Sequence, residues 1–388
     1  MKSANSLMSG LGTTVFEVMS GLAREYQSVN LGQGFPDDKG PEEVRRAAAD
    51  YLMDGHNQYP PMMGLPELRQ AVAEHAKRFQ GLEIDWQREV LVTSGATEAL
   101  GDCLFGLIEP GDEVVLIEPL YDSYLPIVRR AGGIPKLVRL EPPHWSLPRQ
   151  ELADAFSDRT KLILFNTPMN PCSKVFDAEE LEFIASLCRK HDAYAVCDEV
   201  YEHIIFDDRR HVSIMTLPGM RERTARIGSA GKSFSVTGWK VGYVTAPADM
   251  MKAIAKTHQF MTFTTPPNLQ WGTATGLRLA DDYYVTLARD MQRKRDRLGT
   301  ALAEIGFEVL PSHGTYFVTT DFRPLGFNGT DEDFCRHITV EAGVTAVPVS
   351  AFYDDSKTAA RHFARFCFCK HDATLDAAIE RLGRYFRR

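Results

Sequence analysis

Between residues 89 and 229, short apolar runs rich in β-branched residues alternate with amphipathic helical stretches. This alternation constrains the fold more than any other feature of the chain. The runs lie at 89–93, 113–117, 161–165, 194–198 and 225–229. The stretch 177–190 sets Leu181, Ile184, Leu187 and Cys188 on one helical stripe. Strands separated by helices pair in parallel, and the crossing helices cover both faces of the sheet. The chain therefore reads as α/β, with a mainly parallel central sheet in a large domain. Such a sheet opens its ligand crevice at the carboxyl ends of its strands. Polar residues just past those ends are the candidates for chemistry.

The last hundred residues have another rhythm. A long helical pattern covers 282–305, and short strands follow at 315–319, 344–348 and 362–370. This predicts a smaller α+β domain. Near the start, Pro41 opens a helix and Gly55 closes it. The expected division is an arm with part of the small domain (1–45), a large domain (46–285) and a small C-terminal domain (286–388). With 388 residues, 44% of them apolar and 25% charged, the chain has a globular composition and not a disordered one. Its net charge of −8 disfavours nucleic acid or an anionic membrane as partner. No uncharged apolar run reaches the ~18 residues of a membrane span. The first twelve residues lack the continuous core of a secretory signal. Seven cysteines, none in a CxxC pair, read as reduced core residues, so a cytoplasmic protein is expected.

Several familiar motifs fail on inspection. Gly231-Lys232-Ser233 resembles the end of a phosphate-binding P-loop, but Arg226 stands where its first Gly belongs. Gly32-Gln33-Gly34 begins a dinucleotide fingerprint that Asp37 breaks. Ile227 breaks the elbow that Ser229 would need as a nucleophile. Glu199 and His203 are one helical turn apart without an HExxH motif, so no metal site is expected.

Another constellation survives. It includes Asp198 and Tyr201 in Cys197-Asp198-Glu199-Val200-Tyr201, and Lys232 in Ser229-Ala230-Gly231-Lys232-Ser233. It adds Lys240 in Thr237-Gly238-Trp239-Lys240, Asn170 in Asn166-Thr167-Pro168-Met169-Asn170-Pro171, and the run Ser94-Gly95-Ala96-Thr97-Glu98. With Asn57-Gln58-Tyr59, Glu118-Pro119 through Tyr121, and Arg365-Phe366-Cys367-Phe368, the chain resembles a fold-type I pyridoxal-phosphate aminotransferase of class I/II. Within that class it is similar to the kynurenine aminotransferase/glutamine transaminase K group and its bacterial methionine aminotransferase relatives. The likeness runs from about Gly12 to the last helix.

The resemblance implies a role for each residue. Lys232 is the amine that tethers pyridoxal 5′-phosphate and carries the Cα proton. Asp198 pairs with the pyridine nitrogen, Asn170 and Tyr201 donate to the ring oxygen, and Tyr121 stacks on the ring. Ser94, Gly95, Ala96 and Thr97 bind the phosphate at a helix start, helped by Ser229 and Lys240. Many aminotransferases have Arg where Lys240 stands; the kynurenine-like group has Lys. Tyr59 reaches the phosphate across a dimer interface, which makes the active unit a homodimer. Arg365 holds the substrate α-carboxylate, with Asn170 and the backbone at Gly34 assisting. Phe16, Phe260 and Phe263 suggest a mixed hydrophobic pocket for the side chain.

On pattern alone other readings stay open. Asp198 suits a helix cap, Asn170 a turn, Tyr121, Tyr201 and the three phenylalanines a core, and Arg365 a structural ion pair. The family commonly has Gly two residues after the Asn170-Pro171 pair; here Ser173 stands there, which puts the local turn in question. The expected activity is ping-pong transamination of an L-amino acid (methionine, glutamine, aromatic or kynurenine-like) with a 2-oxo acid. The rivals are a β-lyase acting on cysteine conjugates and a non-catalytic regulatory domain.

Overall fold

The computed structural model describes residues 2–387. Its strands, in chain order, are β1 (Val29–Asn30), β2 (Val90–Thr93), β3 (Glu113–Glu118), β4 (Ile134–Arg139), β5 (Thr160–Asn166), β6 (Tyr194–Asp198) and β7 (Thr224–Ser229). There follow β8 (Gly242–Thr245), β9 (Glu308–Val309), β10 (Phe317–Asp321), β11 (Val344–Thr345), β12 (Val347–Pro348) and β13 (Phe363–Cys367).

Seven strands form the central sheet in the order β2-β8-β7-β6-β5-β3-β4. From β7 to β4 all pairings are parallel, as the crossovers require. The exception is β8, antiparallel to both β7 and β2. The segment between Ser229 and Gly242 holds only two short helices, Ala230–Ser233 and Thr237–Trp239, neither long enough to carry the chain back along the sheet for a parallel return. The helix Ala178–Lys190 begins with a reciprocal capping box between Asp177 and Glu180 and buries the expected stripe.

The register sets the site. Asn166, Asp198 and Ile227 lie side by side at the ends of β5, β6 and β7. Ser229, Gly242 and Thr93 line up next to them. Because β8 runs backwards, its amino end joins the carboxyl ends of its neighbours. The start of the helix Gly95–Leu107, the Ser229–Lys232 turn and Lys240 thus converge at one edge of the sheet.

A second sheet, β12-β13-β10-β9, is antiparallel, and β1 pairs in parallel with β11. The expected strand 344–348 is split between these two assemblies. The strand expected from 315 starts at Phe317, because Thr315 has φ +66°, outside the β region. The long helix is Asp281–Ile305, ended by Gly306 at φ +118°. The early helix is Glu42–Asp54, flanked by Pro41 and Gly55. All seven cysteines are buried, and Cys367 and Cys369 bring their Sγ atoms to 3.2 Å.

Candidate active site

Where these elements meet there is a cavity of about 440 Å³. Its floor is the polar end of β6. Asp198 breaks an otherwise apolar strand and is 6% exposed. Its carboxylate accepts from the Tyr124 hydroxyl at 2.8 Å and from the Val200 N–H at 3.2 Å. Burial pushes its pKa up, while Tyr124, Val200 and the charge of Lys232 work against that. No cation lies within ion-pair distance of it among the described residues. A buried acid with only neutral donors suits a cationic N–H ligand.

The chain on either side of Asp198 is clamped from behind. Arg226 on β7 donates to Glu199 at 2.5 Å and to Glu202. Glu199 also accepts from Ser213 at 2.7 Å and lies 2.8 Å from His211. Asp198 and Tyr201 line the cavity, while Glu199 and Glu202 are held in this buried network. His203 lies 2.7 Å from His75, so Glu199 and His203 serve separate contacts.

Lys232 sits on the short helix after β7. Its Nζ lies 5.6 Å from the Tyr201 ring centre and 5.7 Å from that of Tyr316. Burial holds its pKa below the usual lysine range, while the charge of Asp198 works against that. Tyr316 donates to the carbonyl of Gly34 at 2.7 Å and packs edge-on to Tyr201, which fixes that ring.

The opposite end is built for an anion. Gly95, at φ +78°, opens a 13-residue helix, and Gly95, Ala96 and Thr97 line the cavity. A Cβ on Gly242 would meet Gly95 C at 2.6 Å and Ala96 N at 2.8 Å, so β8 can pass only as glycine. Lys240 brings its Nζ over Gly95, within 3.2 Å of where a Cβ would stand. Ser229 adds a hydroxyl. Free helix N–H groups, a hydroxyl and an ammonium make a phosphate site.

At the third corner Arg365, on β13, is fully buried. It donates to Asn170 Oδ1 at 2.7 Å and to the Gly32 carbonyl at 2.6 Å, while its Nε has no partner. Its guanidinium lies 3.9 Å from the Phe317 ring centre and 5.4 Å from that of Phe16. Desolvation lowers its pKa to about 10, still far above neutrality. No carboxylate pairs with it among the described residues, so the structural ion pair is not what this arginine makes.

Of the residues singled out in the sequence, the cavity gathers Lys232, Asp198, Tyr201, Asn170, Arg365 and Tyr121. It also gathers Gly34, Phe16, Ser229 and Lys240 beside Gly95, Ala96 and Thr97. Two cofactor candidates lie apart. The Ser94 N–H is taken by the Glu98 carboxylate, and the residue is not in the wall. Tyr59 is 82% exposed, edge-on to Phe263 at 5.7 Å, and does not reach the cavity of its own chain. Phe260, 79% exposed, and Phe263 are likewise outside it, so of the three pocket phenylalanines only Phe16 is in the wall. Sequence reasoning missed Tyr124, Asp122 and Phe317; for Tyr124 the signal was its place three residues after Tyr121, at the start of the helix that follows.

Ser173 adopts φ +58°, the conformation a glycine would take. Its hydroxyl donates to Phe317 O at 2.7 Å and lies 2.9 Å from Thr315 Oγ1. The turn after Asn170 is therefore kept, with side-chain hydrogen bonds offsetting the strain.

The profile of the aminotransferase class I and II family matches residues 26–382. The chain belongs to this family. The methionine aminotransferase of Escherichia coli (strain K12) is 41% identical to it over 377 residues, covering 97% of each chain. Kynurenine–oxoglutarate transaminase 1 of Homo sapiens is 39% identical, covering 94% of each. The structure of N-succinyldiaminopimelate aminotransferase from Mycobacterium tuberculosis superposes with a TM-score of 0.95 at 42% identity, over 98% of this chain and all of that one. The protein is a fold-type I aminotransferase, and its cofactor is pyridoxal phosphate. The residues fit that cofactor: a helix start with Lys240 over it, which β8 can approach only through Gly242, the Lys232 amine and a cation-seeking carboxylate stand around one cavity.

Proposed function

We propose that this aminotransferase takes the amino group of an L-amino acid with an uncharged side chain (methionine, glutamine, an aromatic or a kynurenine-like amino acid) and passes it to a 2-oxo acid. The observation that carries the reading is Arg365, a buried guanidinium with two neutral acceptors and no acid. Amino donor and oxo acid share one feature, the α-carboxylate, and a single planar fork serves both.

Each side chain then has a task. Bound pyridoxal phosphate supplies the electron sink for the Cα–H bond. Gly95, Ala96, Thr97, Ser229 and Lys240 hold its phosphate, and Tyr121 packs on its ring. Asp198, oriented by Tyr124, keeps a proton on the pyridine nitrogen. Asn170 and Tyr201 donate to the ring oxygen. Lys232 would take the proton from Cα and deliver it to the carbon on the far side of the substrate nitrogen, the former aldehyde carbon of the cofactor. Arg365 aligns Cα for that transfer in both halves of the cycle.

The reading includes a cytoplasmic homodimer and a division into a large domain (46–285) and a smaller one (286–388) joined by the N-terminal arm. Exposed Tyr59, Phe260, Met261 and Phe263 support a partner face near the phosphate end. Buried cysteines support a reducing location, and no helix among the described residues is long and apolar enough to cross a membrane. The deciding experiment is a panel of amino donors against two oxo acids, with pyruvate release monitored on a cysteine conjugate. Amine transfer from neutral donors supports the reading; pyruvate release without transfer replaces it with a lyase.

A further inference from the structure

Asn166, the last residue of β5, lines the cavity beside Asp198 and takes no part in the cycle described above. It is 3% exposed, and its amide is engaged at both ends. Nδ2 donates to the backbone carbonyl of Asp198 at 2.7 Å, and Oδ1 accepts from the backbone N–H of Asn170 at 2.8 Å.

Neither bond belongs to the sheet. The Asp198 carbonyl already accepts from the Thr167 N–H at 3.0 Å, which continues the parallel ladder of β5 and β6. The Asn166 amide brings a second donor to the same oxygen. It holds β6 from the β5 side at the residue whose carboxylate faces the cavity. From the β7 side the next residue is held as well, its Glu199 N–H donating to the Ile227 carbonyl at 2.9 Å. After β5 the chain leaves the sheet, and Asn170 lies outside any strand. The Asn166 oxygen takes the Asn170 N–H that no ladder serves.

The place of Asn170 matters for the cofactor. Arg365 donates to its Oδ1 at 2.7 Å. A guanidinium only donates, so this contact fixes which way the amide faces and leaves Nδ2 for the ring oxygen. Asp198, the partner of the ring nitrogen, and Asn170, the donor to the ring oxygen, are thus both hung from one buried amide. That task needs a donor and an acceptor at this length: Asp lacks the donor, Ser and Ala the reach.

We propose that Asn166 is a positioning residue for the reaction, which sets the spacing of Asp198 and Asn170 and through them the charge on the pyridoxal phosphate ring. This rests on Asp198 and Asn170 meeting the ring as the proposed function has it.

The test is a pH titration of the visible absorption of the holoenzyme, which reports the proton on the linkage between Lys232 and the cofactor. A donor on the ring oxygen draws negative charge away from that proton, and a proton held on the ring nitrogen adds a positive charge nearby. Both lower the midpoint. Asn166→Ala loosens both and should raise the midpoint by about 0.5 to 1 pH unit, the size of one weakened hydrogen bond. Asn166→Ser keeps a polar group too short for either partner and should shift the same way, which covers an alanine variant that does not fold. Asn170→Ala removes the oxygen donor itself and should raise the midpoint at least as far. If the Asn166 variants lose activity or thermal stability while the midpoint stays, the amide is merely structural and the proposal is wrong. If Asn170→Ala also leaves the midpoint unmoved, the underlying reading of the ring contacts fails and this inference with it.

Discussion

Arg365 and Asn170, 195 positions apart in sequence, are joined by a 2.7 Å hydrogen bond in which a charged guanidinium meets a neutral amide. Taking a guanidinium out of water costs several kcal/mol unless an anion compensates it. Here the compensation inside the chain is one amide oxygen, one carbonyl and the faces of Phe317, Phe352 and Phe16. The fold carries the cost and keeps the charge available for a carboxylate from outside.

Arg365→Leu should therefore raise KM for every amino acid and oxo acid alike. The loss in kcat/KM should be about 100-fold, the worth of a charge-assisted bidentate contact of ~3 kcal/mol. Kinetics on four substrates of different side chain check it; a loss confined to one of them would contradict an α-carboxylate role.

Lys232→Ala should abolish turnover and the visible absorption of the bound cofactor while leaving the fold intact. Lys232 makes no ion pair or hydrogen bond among the described residues, so little structure depends on it. Far-UV circular dichroism and thermal melts of the apo forms should match the wild type within a few degrees. Retention of full activity would refute the assignment.

Much of this was readable before any coordinates. Asp198, Lys232 and Arg365 are singled out by the motifs around them and the family those motifs resemble; on pattern alone Asp198 also suits a helix cap, Lys232 a surface loop and Arg365 an ion pair. The parallel order of β7 to β4 followed from the intervening helices. What stayed hidden depends on backbone sign or on space. Thr315 at φ +66° looks like any strand threonine until its dihedral is seen. The four residues of β8 are too few to show a period, and their reversal comes from a short connection. Tyr124 sits in an apolar helical stripe and reads as core, which it is, apart from the hydroxyl that reaches Asp198. Ser94 looks like its three neighbours in sequence, but Glu98, one turn later, already occupies its N–H.

Ser173→Gly offers a case where two effects compete. Glycine would relieve a left-handed strain of about 1 kcal/mol. It would also remove the hydroxyl contacts to Phe317 O and Thr315 Oγ1, each worth about 1 kcal/mol, and loosen the unfolded chain. The balance is a destabilisation of about 1 kcal/mol. Ser173→Ala keeps the strain and loses the same contacts, so it should cost about 2 kcal/mol. Urea midpoints of the two variants check the order; glycine more stable than wild type would show that strain dominates.

The helix that bears the phosphate cradle also carries Asp102, 1% exposed, whose Oδ2 has no hydrogen-bond partner among the described residues. Glu98 lies 3.0 Å from His258 Nδ1, which is itself 3.7 Å from Asp102 Oδ2. Burial, helped by the negative charge of Glu98, pushes the Asp102 carboxyl up to about 8. The folded protein thus holds a proton that the unfolded chain releases above about pH 4. Stability from this group is fully present below that value and is lost as pH rises through 8, by up to ~1.4 kcal/mol per pH unit. Asn is neutral throughout and has no such slope. Asp102→Asn should therefore gain on the wild type steadily between pH 5 and pH 8, whatever its offset at pH 5. Melting temperatures of both proteins at each pH unit read this directly. A constant difference would mean that Asp102 is already ionised in the fold.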